Sequence, residues 1–182
     1  FGSVISLAET GIAEWRDLEG TVVGRYPFGS TGPVAEAAMR ERGVDISKVT
    51  FRNVQPGAGI QQLLSGEIDA LVRYGPQASA ELALEGFDAN VLLSSDVLGH
   101  LGAAIFAHDS VIENDPDLTS QVVSGWLDGI RLWAEDYEKA IEAHEPHVRE
   151  NGQWRPDFHE RVLGDIYASQ APPKDRGLEH GK

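Results

Sequence analysis

The chain has no cysteine among its 182 residues. Disulfides, thiolate metal centres and a cysteine nucleophile are thereby excluded, and the composition suits an oxidising compartment without requiring one. Basic residues are scarce: 15 Lys and Arg stand against 29 Asp and Glu, for a formal charge of −14 and a pI near 4.7. That balance argues against nucleic acid and anionic membrane surfaces as partners. It does not argue against a small anion, which answers to local donors, and the acidity reads first as a solubility feature. No run of 18 apolar residues occurs, so no membrane-crossing helix is expected. The chain opens on no leader, and export would mean that one has been removed. The P-loop, the G-x-G-x-x-G fingerprint and the G-x-S-x-G elbow are all absent. Carboxylates are plentiful, but none can be singled out as an acid–base pair.

What is present is an alternation of strand-like and helix-like segments. Gly2–Ala8 is β-prone, and a turn of helix surrounds Trp15. Thr21–Tyr26 reads as a strand, and the helix after it has Pro33 in its first turn, an apolar face of Val34, Ala35, Ala38 and Met39, and Gly43 as its stop. Val49–Val54 alternates as a strand does. A short helix around Ile60, Leu63 and Leu64 ends at Gly66. Ile68–Tyr74 is apolar enough for a central strand covered on both faces. Pro76 opens a helix to Gly86, and Val91–Leu93 and Ala103–Ala107 read as further strands. From Asp117 the spacing of Leu118, Val122, Trp126, Ile130, Trp133, Tyr137 and Ile141 predicts one long amphipathic helix, interrupted at Pro146. Phe158–Tyr167 suggests a last helix, and the tail from Pro172 carries no core pattern. The order implies an α/β fold with a parallel or mixed sheet.

The segment most like a site is the turn Phe28-Gly29-Ser30-Thr31-Gly32 between a strand and a helix. Gly29 and Gly32 let backbone approach a bound group, and Ser30 or Thr31 can cap the helix and offer a hydroxyl. Unpaired N–H groups at a helix start seat anions, and open α/β sheets bind ligands beyond the carboxyl ends of their strands. Plain capping explains the same residues without a ligand. Arg73, Tyr74 and Gln77 flank Pro76, and the topology brings that edge beside the Ser30 turn. There Arg73 would balance an anion and Tyr74 would stack on a flat or apolar body. Their structural alternatives are a solvated Arg73 and a core Tyr74. His100 stands in a flexible Gly99-His100-Leu101-Gly102 loop and is the one histidine worth following. His144-Glu145-Pro146-His147 has a superficial metal-site look, but Pro146 spoils the helical spacing, so neither metal nor cofactor is expected.

Several motifs stand in a telling order: Gly11-Ile12, Asp17-Leu18-Glu19-Gly20, Val23-Gly24, Phe28-Gly29-Ser30-Thr31, Gly43-Val44-Asp45 with Val49, and Asn53-Val54-Gln55-Pro56-Gly57. Leu63-Leu64-Ser65-Gly66-Glu67-Ile68-Asp69-Ala70 follows, then Pro76, then Asn114-Asp115-Pro116-Asp117-Leu118. Over roughly residues 4–140 this order resembles the second half of periplasmic substrate-binding proteins of ABC importers, of the nitrate, sulfonate, taurine and thiamine-precursor type.

The resemblance implies a type II periplasmic-binding-protein lobe with a mixed sheet, plus C-terminal helices of an incomplete first lobe. It implies a second lobe over 13–95, hinge strands and first-lobe helices over 1–12 and 96–170, and a flexible tail over 171–182. Ser30 and Thr31 inherit contact with an acidic head group, and Tyr74 a place facing the cleft. Relatives often carry Trp and then an acidic residue before the Pro; here Tyr74 and Gly75 stand there, so no particular ligand carries over. The implied function is binding a small anionic or heterocyclic nutrient without covalent chemistry. The implied partners are that small molecule and a membrane permease, and the implied place is periplasmic or extracellular. The family's N-terminal stretch has no counterpart, which predicts a truncated chain or a second chain or fragment completing the first lobe. A ligand-sensing domain of a regulator is the alternative. A pyrimidine-precursor synthase is a weaker one, because cysteine is absent and no lysine lies near the candidate site residues.

Overall fold

Ala70, Leu71 and Val72 are fully buried, and the sheet is built around them. The computed structural model describes residues 2–99, 104–150, 155, 156 and 159. Contacts divide the chain into two units, Phe1–Gly102 and Ala103–Lys182. In the first, strands β1 (Gly2–Leu7), β2 (Val22–Arg25), β3 (Thr50–Asn53), β4 (Ala70–Tyr74) and β5 (Ala89–Leu93) form one sheet in the order β3-β2-β4-β1-β5. β2 pairs parallel with β3 and β4, and β1 runs antiparallel to β4 and β5. The mixed α/β architecture expected from the alternation of elements is present.

The pleat of β4 sends successive side chains to opposite faces. Val72 joins Val4, Val23, Ala35, Ala38 and Met39, the last three from helix α1 (Thr31–Glu41). Leu71 joins Ile5, Ile60, Leu63, Ala78 and Leu82 on the other face. That face is covered by helices α2 (Gly59–Leu64) and α3 (Gly75–Leu84). The central strand is therefore apolar over Ala70–Val72, where both of its faces lack water. Asp69, just before β4, ties the strand to β2. Its carboxylate accepts from the Val22 N–H at 2.7 Å, and its own N–H donates to the Val22 carbonyl at 2.8 Å.

β1 lies inside the sheet between β4 and β5, so residues 2–7 are an integral part of the first unit's core. The reason is physical: Val4 and Ile5 complete the two apolar layers on either side of the sheet.

The second unit is helical: α4 (Asp109–Asn114), α5 (Pro116–Glu135) and α6 (Tyr137–Arg149). Two expectations are corrected there. Residues 104–107 form no strand, and Phe106 is exposed; the apolar run has no ladder partner among the described residues. The long helix breaks at Asp136 rather than at Pro146. Asp136 leaves helical geometry and its carboxylate accepts from the Lys139 N–H at 3.1 Å, a side-chain cap that starts α6 afresh. Pro146 sits inside α6, where it forfeits one backbone hydrogen bond without ending the helix. Leu118, Val122, Trp126 and Ile130 of α5 are exposed. The expected last helix and the tail lie outside the described residues.

Two substitutions test this frame by chemical denaturation. Leu71→Ala is expected to cost about 2–5 kcal/mol, the cost of a cavity in a layer that cannot collapse freely. Asp69→Ala is expected to cost about 1–3 kcal/mol, because the Val22 N–H loses its acceptor. A loss of under about 0.5 kcal/mol in either would refute the role given to that residue.

Candidate functional site

The connections leaving β2 and β4 part company. β2 is followed by α1 on one face and leads to β3, while β4 is followed by α3 on the other face and leads to β5 on the opposite side. Neighbouring parallel strands whose connections diverge leave a crevice beyond their carboxyl ends. Such a crevice is present. A cavity of 590 Å³ is lined by Tyr26, Pro27, Phe28, Gln55, Pro56, Gly57 and Arg73. A second cavity of 290 Å³ shares Tyr26 and Pro27 and adds Arg25, Gly29, Gly32, Pro33 and Asn53. The two adjoin at the end of β2.

The turn between β2 and α1 forms one wall. Gly29 has φ +113°, a conformation costly to any residue with a Cβ, which is why glycine stands there. Ser30 is the N-cap residue by position, yet its side chain makes no capping hydrogen bond. The Ser30 carbonyl accepts from the Val34 N–H at 3.1 Å, while the N–H groups of Thr31 and Gly32 have no acceptor among the described residues. The start of α1 thus keeps donors and a free hydroxyl for solvent or solute. Phe28 is 88% exposed and stands at the mouth of the larger cavity. Close packing fixes the floor: a Cβ at Gly59 would lie 2.8 Å from Leu71 Cδ2 and 3.1 Å from Tyr26 Oη, so Tyr26 rests on glycine backbone.

The residues expected at the site separate. Phe28, Gly29, Gly32 and Arg73 line the cavities. Ser30 and Thr31 belong to the same turn but are not among the lining residues. Arg73 is not free to balance an anion alone. Its guanidinium pairs with both carboxylate oxygens of Glu81, Nη2 to Oε1 at 2.8 Å, with each side chain 19% exposed. Gln77 donates to Glu81 Oε1 at 3.3 Å and so steadies the pair instead of lining the cavity. Tyr74, the last residue of β4, is half-buried, and burial raises its phenol above the ordinary tyrosine range. His100 lies outside the described residues. Among the described residues no cluster of His, Asp or Glu is placed to hold a metal; His144 meets His159 at 6.2 Å between ring centroids within the helical unit. No helix among the described residues is long and apolar enough to cross a membrane.

Sequence reasoning missed Arg25, Tyr26, Asn53 and Gln55. A positional signal for them exists: each stands at or just beyond the carboxyl end of a parallel strand, where such folds expose side chains to ligand.

The family model described as NMT1/THI5 like matches residues 1–140. No curated protein matches the chain by sequence. Among solved structures the chain is similar to the periplasmic aliphatic sulphonate binding protein SsuA from Escherichia coli, at 18% identity and a TM-score of 0.74, over 94% of this chain and 55% of that one. It is similar also to the alkanesulfonate-binding protein SsuA from Xanthomonas axonopodis pv. citri bound to MOPS, at 19% identity and a TM-score of 0.67, over 90% and 54%. A putative sulfonate-binding SsuA from Methylobacillus flagellatus KT matches at 18% identity and a TM-score of 0.63, over 93% and 49%. The chain spans about half the length of these proteins. At such identities the likeness is one of fold, that of type II periplasmic binding proteins.

The Arg73–Glu81 pair generates a test. In a double-mutant cycle of Arg73→Gln and Glu81→Gln, thermal or chemical unfolding is expected to give a coupling of about 0.5–3 kcal/mol. Additive losses would mean that the pair does not hold the cavity wall.

Proposed function

The chain belongs to the NMT1/THI5-like family, and on that premise we propose that it binds a small nutrient as the solute-binding component of an ABC importer. The observation that carries this reading is the crevice at the diverging ends of β2 and β4, with the open start of α1 as one wall. A helix start with spare donors favours an anionic group, and the aromatic rings of Tyr26 and Phe28 favour an organic body. The ligand class is therefore a small anionic or heterocyclic nutrient, of the sulfonate, nitrate, taurine or pyrimidine-precursor kind. The solved neighbours named above bind sulfonates according to their descriptions, which supports this class for the present chain.

The role is binding without covalent change. Its partner beyond the ligand is a membrane permease, and its place is the periplasm or cell exterior. Within the chain, 13–95 supplies the body of one lobe, while 1–12 and 96–170 supply hinge strands and helices of the other, to be completed by a further segment or chain. Ser30 and Thr31 donate hydroxyl hydrogen bonds to the ligand's acidic group.

Native mass spectrometry of protein purified from its host is expected to show a small-molecule adduct lost on unfolding. Isothermal titration with that molecule should then give an affinity weakened about tenfold or more by Ser30→Ala combined with Thr31→Ala. The thermal midpoint should change little, because Ser30 makes no capping bond to lose. Unaltered affinity in the double variant would remove the turn from the site.

A further inference from the structure

Two arginines reach the crevice, and their surroundings differ. Arg73 has both carboxylate oxygens of Glu81 against its two terminal nitrogens. Arg25 is held more loosely. Its Nη1 alone pairs with Glu36 Oε1, and its Nη2 and Nε have no acceptor among the described residues. Its guanidinium carbon lies 4.5 Å from the centre of the Phe51 ring, so one planar face is occupied by an aromatic surface that accepts no conventional hydrogen bond. The stem of Arg25 runs along the start of α1: a Cβ at Gly32 would lie 3.9 Å from Arg25 Cδ. The side chain is 33% exposed and lines the smaller cavity together with Gly29, Gly32 and Asn53.

We propose that Arg25 supplies the counter-charge for the ligand's anionic group. This rests on the solute-binding reading and deepens it by assigning which residue discriminates charge. Glu36 and Phe51 are positioning residues that hold the guanidinium between the ends of β2 and β3 and the first turn of α1. A guanidinium with unused donors in fork geometry matches a planar or tetrahedral oxyanion, and the free N–H groups of Thr31 and Gly32 add partial positive charge from the same side. The organic remainder of the ligand then extends past Tyr26 and Pro27, which the two cavities share, into the larger space beside Phe28. The substrate class that follows is an organic anion whose charged end is a sulfonate or carboxylate, rather than an uncharged heterocycle.

The test uses isothermal titration with ethanesulfonate and its uncharged counterpart ethanesulfonamide at physiological ionic strength. The unaltered chain is expected to prefer the sulfonate, and Arg25→Gln is expected to reduce sulfonate affinity by about tenfold to a hundredfold while leaving that for the sulfonamide within about twofold. Arg25→Lys, which keeps the charge and loses the fork, should fall between. Because Arg25→Gln strands Glu36, the double variant Arg25→Gln, Glu36→Gln is measured beside it; with an unchanged thermal midpoint it should show the same loss of preference. Arg52→Gln, on an exposed arginine that lines neither cavity, should keep the preference intact. A chain that prefers sulfonate but retains the preference in both Arg25 variants overturns the assignment and leaves the solute-binding reading standing. A chain that binds neither probe overturns the assignment as well, and the solute-binding reading falls with it only if native mass spectrometry also shows no bound small molecule.

Discussion

Asp69 is the residue on which the site's geometry hangs. Its carboxylate and its N–H together hold Val22, and so lock the start of β4 to the start of β2. Once those two strands are in register, their carboxyl ends emerge side by side, with α1 departing over one face and α3 over the other. The crevice is a consequence of that divergence, since no helix can cover a point from which both neighbours turn away. A carboxylate in the middle of a sequence motif thus shapes a cavity at the far end of the strand it precedes.

The same edge collects two arginines, and each is tied to a carboxylate on the helix that follows its strand: Arg25 to Glu36 of α1, Arg73 to Glu81 of α3. Pairing each cation within its own strand–helix unit keeps part-buried charge tolerable, because an unpaired guanidinium there would forgo hydration without compensation. The pairs differ in completeness. A two-oxygen pair leaves Arg73 largely a structural brace, whereas a single contact leaves Arg25 with donors to offer. Net charge does not decide this difference: a chain of −14 still presents a locally positive wall where a strand-end arginine meets a helix start.

Much of the frame was legible from residue order. The apolar run at Ala70–Val72, the helix stop at Gly43 and the turn at Phe28–Gly32 each carry local signals, of burial on both faces, of left-handed backbone and of a helix start. Where the reading failed, the decisive partner lay elsewhere in the chain. Ala103–Ala107 has strand composition, but a strand exists only through a ladder partner, and none lies beside residues 104–107 among the described residues. At the helical end, a proline signal at Pro146 outweighed the Asp136 cap on paper, while in the folded chain the cap set the break.

The sequence by itself determined the alternating α/β pattern, the cysteine-free, acidic character and the presence of a helix start with glycine and hydroxyl residues, because these depend on neighbours a few positions away. Only the tertiary structure decided that β1 belongs at the heart of the sheet, that Arg73 is engaged by Glu81 and that Arg25, Tyr26, Asn53 and Gln55 border a common crevice. Those relations join residues up to about ninety positions apart in the chain, such as Ser3 and Leu93 across β1 and β5. Pairing and side-chain competition at that range are settled by packing the whole unit, which no local window of residues contains.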